Sequence, residues 1–80
     1  MTKNEFITTI ENAMDYVQFN VSGRSFTIIT WVEEGYSIGE ANKPDTVSNY
    51  ESVTDMLSQY QIGGKSLMEC IPEISIYSVT

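Results

Sequence analysis

The sequence has no histidine and only one cysteine among its 80 residues. Histidine is the commonest general base, the usual partner of a nucleophilic serine or cysteine, and a frequent zinc ligand. A single cysteine, Cys70, cannot form an internal disulfide, which argues against a secreted, disulfide-stapled scaffold. The sequence therefore predicts a protein that is not an enzyme and that has no catalytic, cofactor-binding or metal-binding residues.

Basic residues are also scarce, with four Lys and Arg against eleven Asp and Glu and a formal charge of −7. Affinity for nucleic acids and anionic membranes comes from Lys and Arg that neutralise phosphates, so direct binding to either is disfavoured. No apolar run approaches the roughly 20 residues that span a membrane, and the first ten residues are too polar for a signal peptide. We expect a cytoplasmic protein.

The residues that are present predict one domain, over residues 1–80, with several helices. Three stretches have a capping residue followed three positions later by an acid, namely Thr2 and Glu5, Ser52 and Asp55, and Ser66 and Glu69. This spacing is typical of helix N-termini. It predicts a first helix over about residues 3–14, with Met14 on its apolar face, a second that ends near Gly63, and a short third that ends at Pro72.

Alternating apolar residues predict strands between the first two helices and at the end of the chain. If Ser22-Gly23 forms a tight turn, Val21 lies opposite Arg24, Phe19 opposite Phe26 and Val17 opposite Ile28. The other predicted strands cover about residues 25–32, 36–41, 47–50 and 74–79, with 42–46 as a loop. A three-residue loop, 33–35, would set Val32 against Tyr36 and Thr30 against Ile38.

This order predicts an α+β fold, in which an antiparallel sheet of three to five strands carries an N-terminal helix and one or two later helices.

The stretch Ile62-Gly63-Gly64-Lys65-Ser66-Leu67 resembles the end of a phosphate-binding loop. Such a loop needs an earlier glycine and lies between a strand and a helix, whereas here Gln59 occupies the glycine position and a helix is predicted before it. We therefore interpret the two glycines as a helix stop and Ser66 as the next helix cap. Cys70 is interpreted as a small buried hydrophobe.

The second strand is apolar on both faces, and this predicts an interaction surface. With Phe26 and Ile28 in the core, Ile29 and Trp31 project to the other face, where Tyr16 joins them. Two alternatives follow: the later helices cover that face while the first helix covers the opposite one, or the face is an apolar, aromatic patch for a partner or a second copy. The candidate partner-binding residues are Trp31, Ile29, Tyr16, Glu33 and Glu34.

The segments Tyr50–Leu57, Ile62–Leu67 and Ile71-Pro72 resemble a pattern in small uncharacterised acidic proteins of Gram-positive bacteria and their prophages. The matching residues are caps, turns and core positions, so the resemblance indicates the fold and the source of the chain. Proteins of that kind include acidic inhibitors that occupy the nucleic-acid clefts of defence enzymes.

Two functions therefore compete. The first is a non-catalytic protein-interaction module, for example an accessory protein of a mobile element, which binds a protein partner or forms a homodimer. The alternative is an acidic mimic of nucleic acid that inhibits a nucleic-acid-processing or defence enzyme. Its candidate contributors, near one edge of the sheet, are Glu33, Glu34, Glu40, Asp45 and Glu51.

Overall fold

A computed structural model describes residues 1–30, 33 and 35–80, so Trp31, Val32 and Glu34 lie outside the described residues. The elements are α1 (Lys3–Asn12), β1 (Tyr16–Val21), β2 (Arg24–Ile29), β3 (Tyr36–Glu40), β4 (Lys43–Tyr50), α2 (Val53–Gln59), β5 (Gln61–Ile62), β6 (Lys65–Ser66), α3 (Leu67–Cys70) and β7 (Ser75–Val79), with one 3₁₀ turn (Ile71–Glu73) between α3 and β7. The five long strands form one antiparallel sheet in the order β4-β3-β2-β1-β7. The predicted α+β fold is confirmed.

The helix starts lie where the capping pattern predicted them. The Glu5 backbone N–H donates to the Thr2 hydroxyl at 3.1 Å, and the Thr2 N–H donates to the Glu5 carboxylate at 2.8 Å. Ser66 and Glu69 cap α3 by the same reciprocal pair of bonds, whereas α2 has only the bond from the Asp55 N–H to the Ser52 hydroxyl. The predicted end of α1 is wrong: the helix ends at Asn12, and Met14 lies beyond it with 81% of its surface exposed.

The first hairpin has the predicted register. Val21 pairs with Arg24, Phe19 with Phe26 and Val17 with Ile28. The Phe19 and Phe26 rings stack with centroids 5.5 Å apart, and both side chains are almost completely buried. The pairing of large apolar residues on one face therefore fixes this register.

The second hairpin differs from its predicted register by two residues. Ile38 pairs with Ile28 and not with Thr30, and β2 ends at Ile29, so the connection is longer than a three-residue loop. The Thr30 N–H donates instead to the Asp15 carbonyl at 2.8 Å. A shift of two residues keeps every side chain on its face, so the apolar pattern could not distinguish the two registers. The predicted pairing of Val32 with Tyr36 lies outside the described residues.

The predicted loop at residues 42–46 is mostly strand. Strand β4 begins at Lys43 and pairs with β3, and the pairing is irregular between Ile38 and Glu40. Because β4 is an edge strand, Pro44 costs no bond to a further strand. Asn42 lies in the tight turn between β3 and β4 and has the positive φ, 62°, that this turn requires.

Gly63 and Gly64 form a hairpin turn between β5 and β6, so their prediction as a helix stop is wrong. Their φ angles of 61° and 84° are those of a two-residue turn in which both central residues are left-handed. Helix α2 already ends at Gln59. Ser66 caps α3, as predicted, so the stretch forms the turn of this hairpin and the start of the next helix.

All three helices contribute to one core, on one face of the sheet. The ring of Phe6 in α1 packs edge to face on Phe19, with ring centroids 5.7 Å apart. The ring of Tyr60, the C-cap of α2, packs on Phe26 with centroids 6.4 Å apart. Leu67 of α3 belongs to the same buried cluster. The alternative in which later helices cover the second face is therefore wrong, because α1 and α2 lie on the same side. Within the described residues, no helix is long and apolar enough to cross a membrane.

Candidate interaction surface

The sheet face opposite the helices carries two of the predicted partner-binding residues. Tyr16 and Ile29 are direct cross-strand neighbours in β1 and β2, and both are half-buried. Their alternation with the core residues Val17 and Ile28 directs them away from the helices. Trp31, which the sequence assigned to this face, lies outside the described residues.

Val47 of β4 extends this apolar surface. It is 51% exposed and lies over Gly39, where an added Cβ would stand 2.6 Å from a Val47 methyl carbon. The two residues line a shallow depression of about 160 Å³ together with Thr27, Ile29, Ser37, Glu40 and Ala41. Tyr16, Ile29 and Val47 form what we call the Ile29 stripe, which runs from β1 to β4.

Hydroxyl and amide groups surround the stripe. The Gln18 side chain donates to the Thr27 hydroxyl at 3.3 Å, and the Ser25 hydroxyl donates to the Asn20 side-chain carbonyl at 2.6 Å. The described part of the expected apolar and aromatic patch is therefore a narrow stripe in a polar surround, and Trp31 lies outside the described residues. Such a mixed surface is typical of interfaces between proteins that also exist alone.

Exposed acids lie at the end of the sheet where β1 and β3 begin. Asp15 precedes β1, Glu33 lies in the connection between β2 and β3, and Glu51 follows β4; all three are exposed. Gly35 approaches the Glu51 backbone closely, which brings the β2–β3 connection beside the end of β4. We call Asp15, Glu33 and Glu51 the acidic end. Glu34 lies outside the described residues.

Basic residues lie at the opposite end of the sheet and neutralise one predicted contributor. Arg24 donates to both carboxylate oxygens of Glu40, at 2.6 and 3.1 Å, and the Lys43 ammonium lies 3.5 Å away. Only 7% of the Glu40 side chain is exposed. The hydrogen bonds from Arg24 lower the pKa of Glu40, so it stays charged but paired. Its assignment to an acidic mimic surface is wrong, whereas Asp45 is exposed.

Cys70 is buried, as predicted, and burial raises the pKa of its thiol. A thiol with a raised pKa and almost no exposed surface is a poor nucleophile. Among the described residues, no three His, Cys, Asp or Glu side chains come together in a way that could hold a metal ion.

Sequence reasoning missed Val47 and the Arg24–Glu40 pair. The sequence predicts Val47 in a short strand without indicating its face, and only the register of β4 places it beside Gly39. Arg24 and Glu40 are 16 positions apart and meet because β3 follows β2 in the sheet. A two-residue shift in the predicted register of β3 concealed this proximity.

Comparisons with family models, curated proteins and solved structures find no match to this chain.

Proposed function

We propose that this chain is a non-catalytic protein-interaction module that binds a protein partner through the Ile29 stripe. The observation that carries the proposal is the placement of all three helices on one face of the sheet, which leaves the stripe on the other face without a helix above it among the described residues. The pattern of sequence resemblance suggests a mobile-element accessory role for such a module.

The physical basis is the burial of apolar surface inside a polar rim. Burial of apolar surface contributes roughly 25 cal/mol per Å². A few central residues, most often Trp, Tyr and Arg, carry most of the binding energy of an interface, and Tyr16 in the stripe is of this kind. The neighbouring hydroxyl and amide side chains of Gln18, Asn20, Ser25 and Thr27 can exchange their mutual hydrogen bonds for bonds to a partner.

The test is affinity capture from the native cell with the wild type and with Val47→Asp. Val47 is half exposed, so a charge there leaves the core intact while placing an unpaired carboxylate in the interface. We expect the captured protein to be lost, with the circular-dichroism spectrum unchanged.

Met14→Asp is the matched control, since Met14 is exposed and lies outside the stripe. The proposal fails if Val47→Asp retains the same captured protein as the wild type, or if Met14→Asp loses it equally. Trp31→Asp tests separately the sequence prediction that Trp31 belongs to the same surface.

The second candidate function, an acidic mimic that blocks a nucleic-acid-binding cleft, is favoured by the acidic end. Its exposed carboxylates at Asp15, Glu33 and Glu51 place negative charge at one end of the sheet. Binding of this kind weakens steeply with added salt. If the captured partner binds nucleic acid, the variant Asp15→Asn/Glu33→Gln/Glu51→Gln should bind it at least tenfold more weakly at low salt, and salt-insensitive binding would exclude the mimic.

A further inference from the structure

The two edges of the sheet differ in their protection against pairing with another strand. The edge strand β4 contains Lys43, Pro44 and Asp45 and has an irregular register with β3. Charges, proline and bulges at an edge all hinder the addition of a further strand. The other edge strand, β7, is Ser-Ile-Tyr-Ser-Val and contains neither charge nor proline. Its one irregularity is a register shift opposite Gln18 and Phe19.

The backbone of β7 has free hydrogen-bonding groups that point outward. Tyr16 and Thr80 exchange both of their N–H···O=C bonds, each at 3.0 Å. In an antiparallel pair the residue beside such a pair directs its own N–H and C=O away from that partner. Val79 therefore presents both groups to the outer side of the sheet, where β7 has no neighbouring strand among the described residues.

Exposed apolar side chains accompany these groups. Tyr77 is 53% exposed and Val79 is 48% exposed. A strand that lay against β7 would cover both side chains while it satisfied the Val79 backbone.

The charges near the two ends of β7 favour a second copy of this chain as the strand that pairs with it. Asp15, at the acidic end, donates its backbone N–H to the Thr80 carbonyl and so lies beside the end of β7. Lys65 of β6 lies with its ammonium 3.9 Å from the carboxylate of Glu73, two residues before β7 begins. Antiparallel pairing with a second copy brings Asp15 of each chain toward Lys65 and Glu73 of the other, and directs the two acidic ends in opposite directions.

We propose that a second copy of this chain adds to the sheet by antiparallel pairing of β7 with its counterpart, which gives a two-fold dimer with one continuous sheet. Such an interface is self-complementary, since the same residues contribute from both copies. It uses the sheet edge and leaves the Ile29 stripe uncovered, so it is independent of the proposed partner binding.

The test is sedimentation equilibrium from micromolar to millimolar concentration with the wild type, Val79→Pro and Val79→Thr. Proline removes the outward N–H of Val79 without removing a bond to β1, whereas threonine keeps the amide and the branched shape. We expect the wild type and Val79→Thr to dimerise and Val79→Pro to stay monomeric. If Val79→Pro does not fold, Val79→Lys replaces it, with an expected rise in the dissociation constant of at least tenfold.

Amide hydrogen exchange gives a second readout on the wild type. The exchange of the Val79 amide should slow as concentration rises, whereas the amide of Ser78, which faces β1, should not change. The proposal is overturned if the wild type is monomeric at all concentrations or if Val79→Pro dimerises like the wild type. It is also overturned if the dimer is abolished by Val47→Asp and not by the β7 variants.

Discussion

At the residue scale, Gly35 is the glycine with the least room for a side chain. Its φ is +133°, and an added Cβ would lie 2.1 Å from the Tyr50 carbonyl oxygen and 2.9 Å from the Glu51 Cα. Both contacts are with backbone atoms, which cannot rotate away. We expect Gly35→Ala to lower the free energy of unfolding by more than about 2 kcal/mol, measured by urea denaturation.

Gly64 is the matched control for this prediction. Its φ is also positive, +84°, but no atom lies within 4 Å of an added Cβ. Gly64→Ala should therefore lower the free energy of unfolding only by the cost of a positive φ for alanine, about 1–2 kcal/mol. Equal losses for the two variants would mean that the approach of Gly35 to β4 is not an important constraint.

The Arg24–Glu40 pair makes stability depend on pH. Arg24 lowers the pKa of Glu40 below its ordinary value of 4.5, so the folded state favours the carboxylate. A group whose pKa falls on folding stabilises the protein above its unfolded pKa, and this contribution is lost as the pH drops through the folded value. Glu40→Gln should therefore lower the urea midpoint at neutral pH, and the difference from wild type should shrink below about pH 4.5.

Glu11→Gln is the control, because it removes the same charge from an exposed carboxylate on α1. Its difference from the wild type should be smaller at neutral pH. A Glu40→Gln difference that stays constant from neutral to acid pH would show that the substitution acts by packing alone.

At the element scale, α1 depends on its N-terminal cap, because a ten-residue helix is marginal alone. Thr2→Ala removes the acceptor for the Glu5 N–H and should lower the free energy of unfolding by about 1 kcal/mol. Thr8 is exposed in the middle of the same helix, so Thr8→Ala should raise it by a few tenths of a kcal/mol through helix propensity. Thermal denaturation measures both, and the same sign for both variants would contradict the capping argument.

Local patterns predicted the elements better than their edges. The three helix caps and the β1–β2 register followed from residues at most a few positions apart, such as Thr2 and Glu5. The sequence predicts the second part of β4, at 47–50, but not its first part, because Pro44 and Asp45 have turn propensity and only the edge position allows a strand there. The hairpin at Gly63-Gly64 was missed because both a helix stop and a tight turn favour glycine.

At the scale of the whole molecule, the sequence did not indicate which face each helix covers. An apolar helix face packs equally well on either side of a sheet whose second strand is apolar on both faces, as β2 is with Ile28 and Ile29. The actual choice depends on the paths of the connections and on contacts such as Phe6 with Phe19. The candidate site was therefore predicted in part. The sequence assigns Tyr16 and Ile29 to one face, whereas the position of Val47 on that face follows only from the order and register of the strands.

At the same scale, three exposed carboxylates lie at one end of the sheet, whereas the basic residues at the other end are paired with an acid. Arg24 and Lys43 lie at the two tight turns, whereas the three carboxylates of the acidic end lie where the strands reach the other side. These carboxylates lie on elements only three strand spacings apart, roughly 5 Å each. That span is comparable with the Debye length at low ionic strength, so mutual repulsion among them reaches across the sheet.

Neutralisation of the acidic end should therefore stabilise the fold. We expect Asp15→Asn/Glu33→Gln/Glu51→Gln to raise the melting temperature by a few degrees at low ionic strength and to have no effect in molar salt, where repulsion is screened. Glu73→Gln is the control, since it removes a carboxylate 3.9 Å from Lys65 and should not stabilise. If the triple variant gains the same stability at both salt concentrations, its effect does not arise from repulsion, and the charge separation has no energetic consequence for the fold.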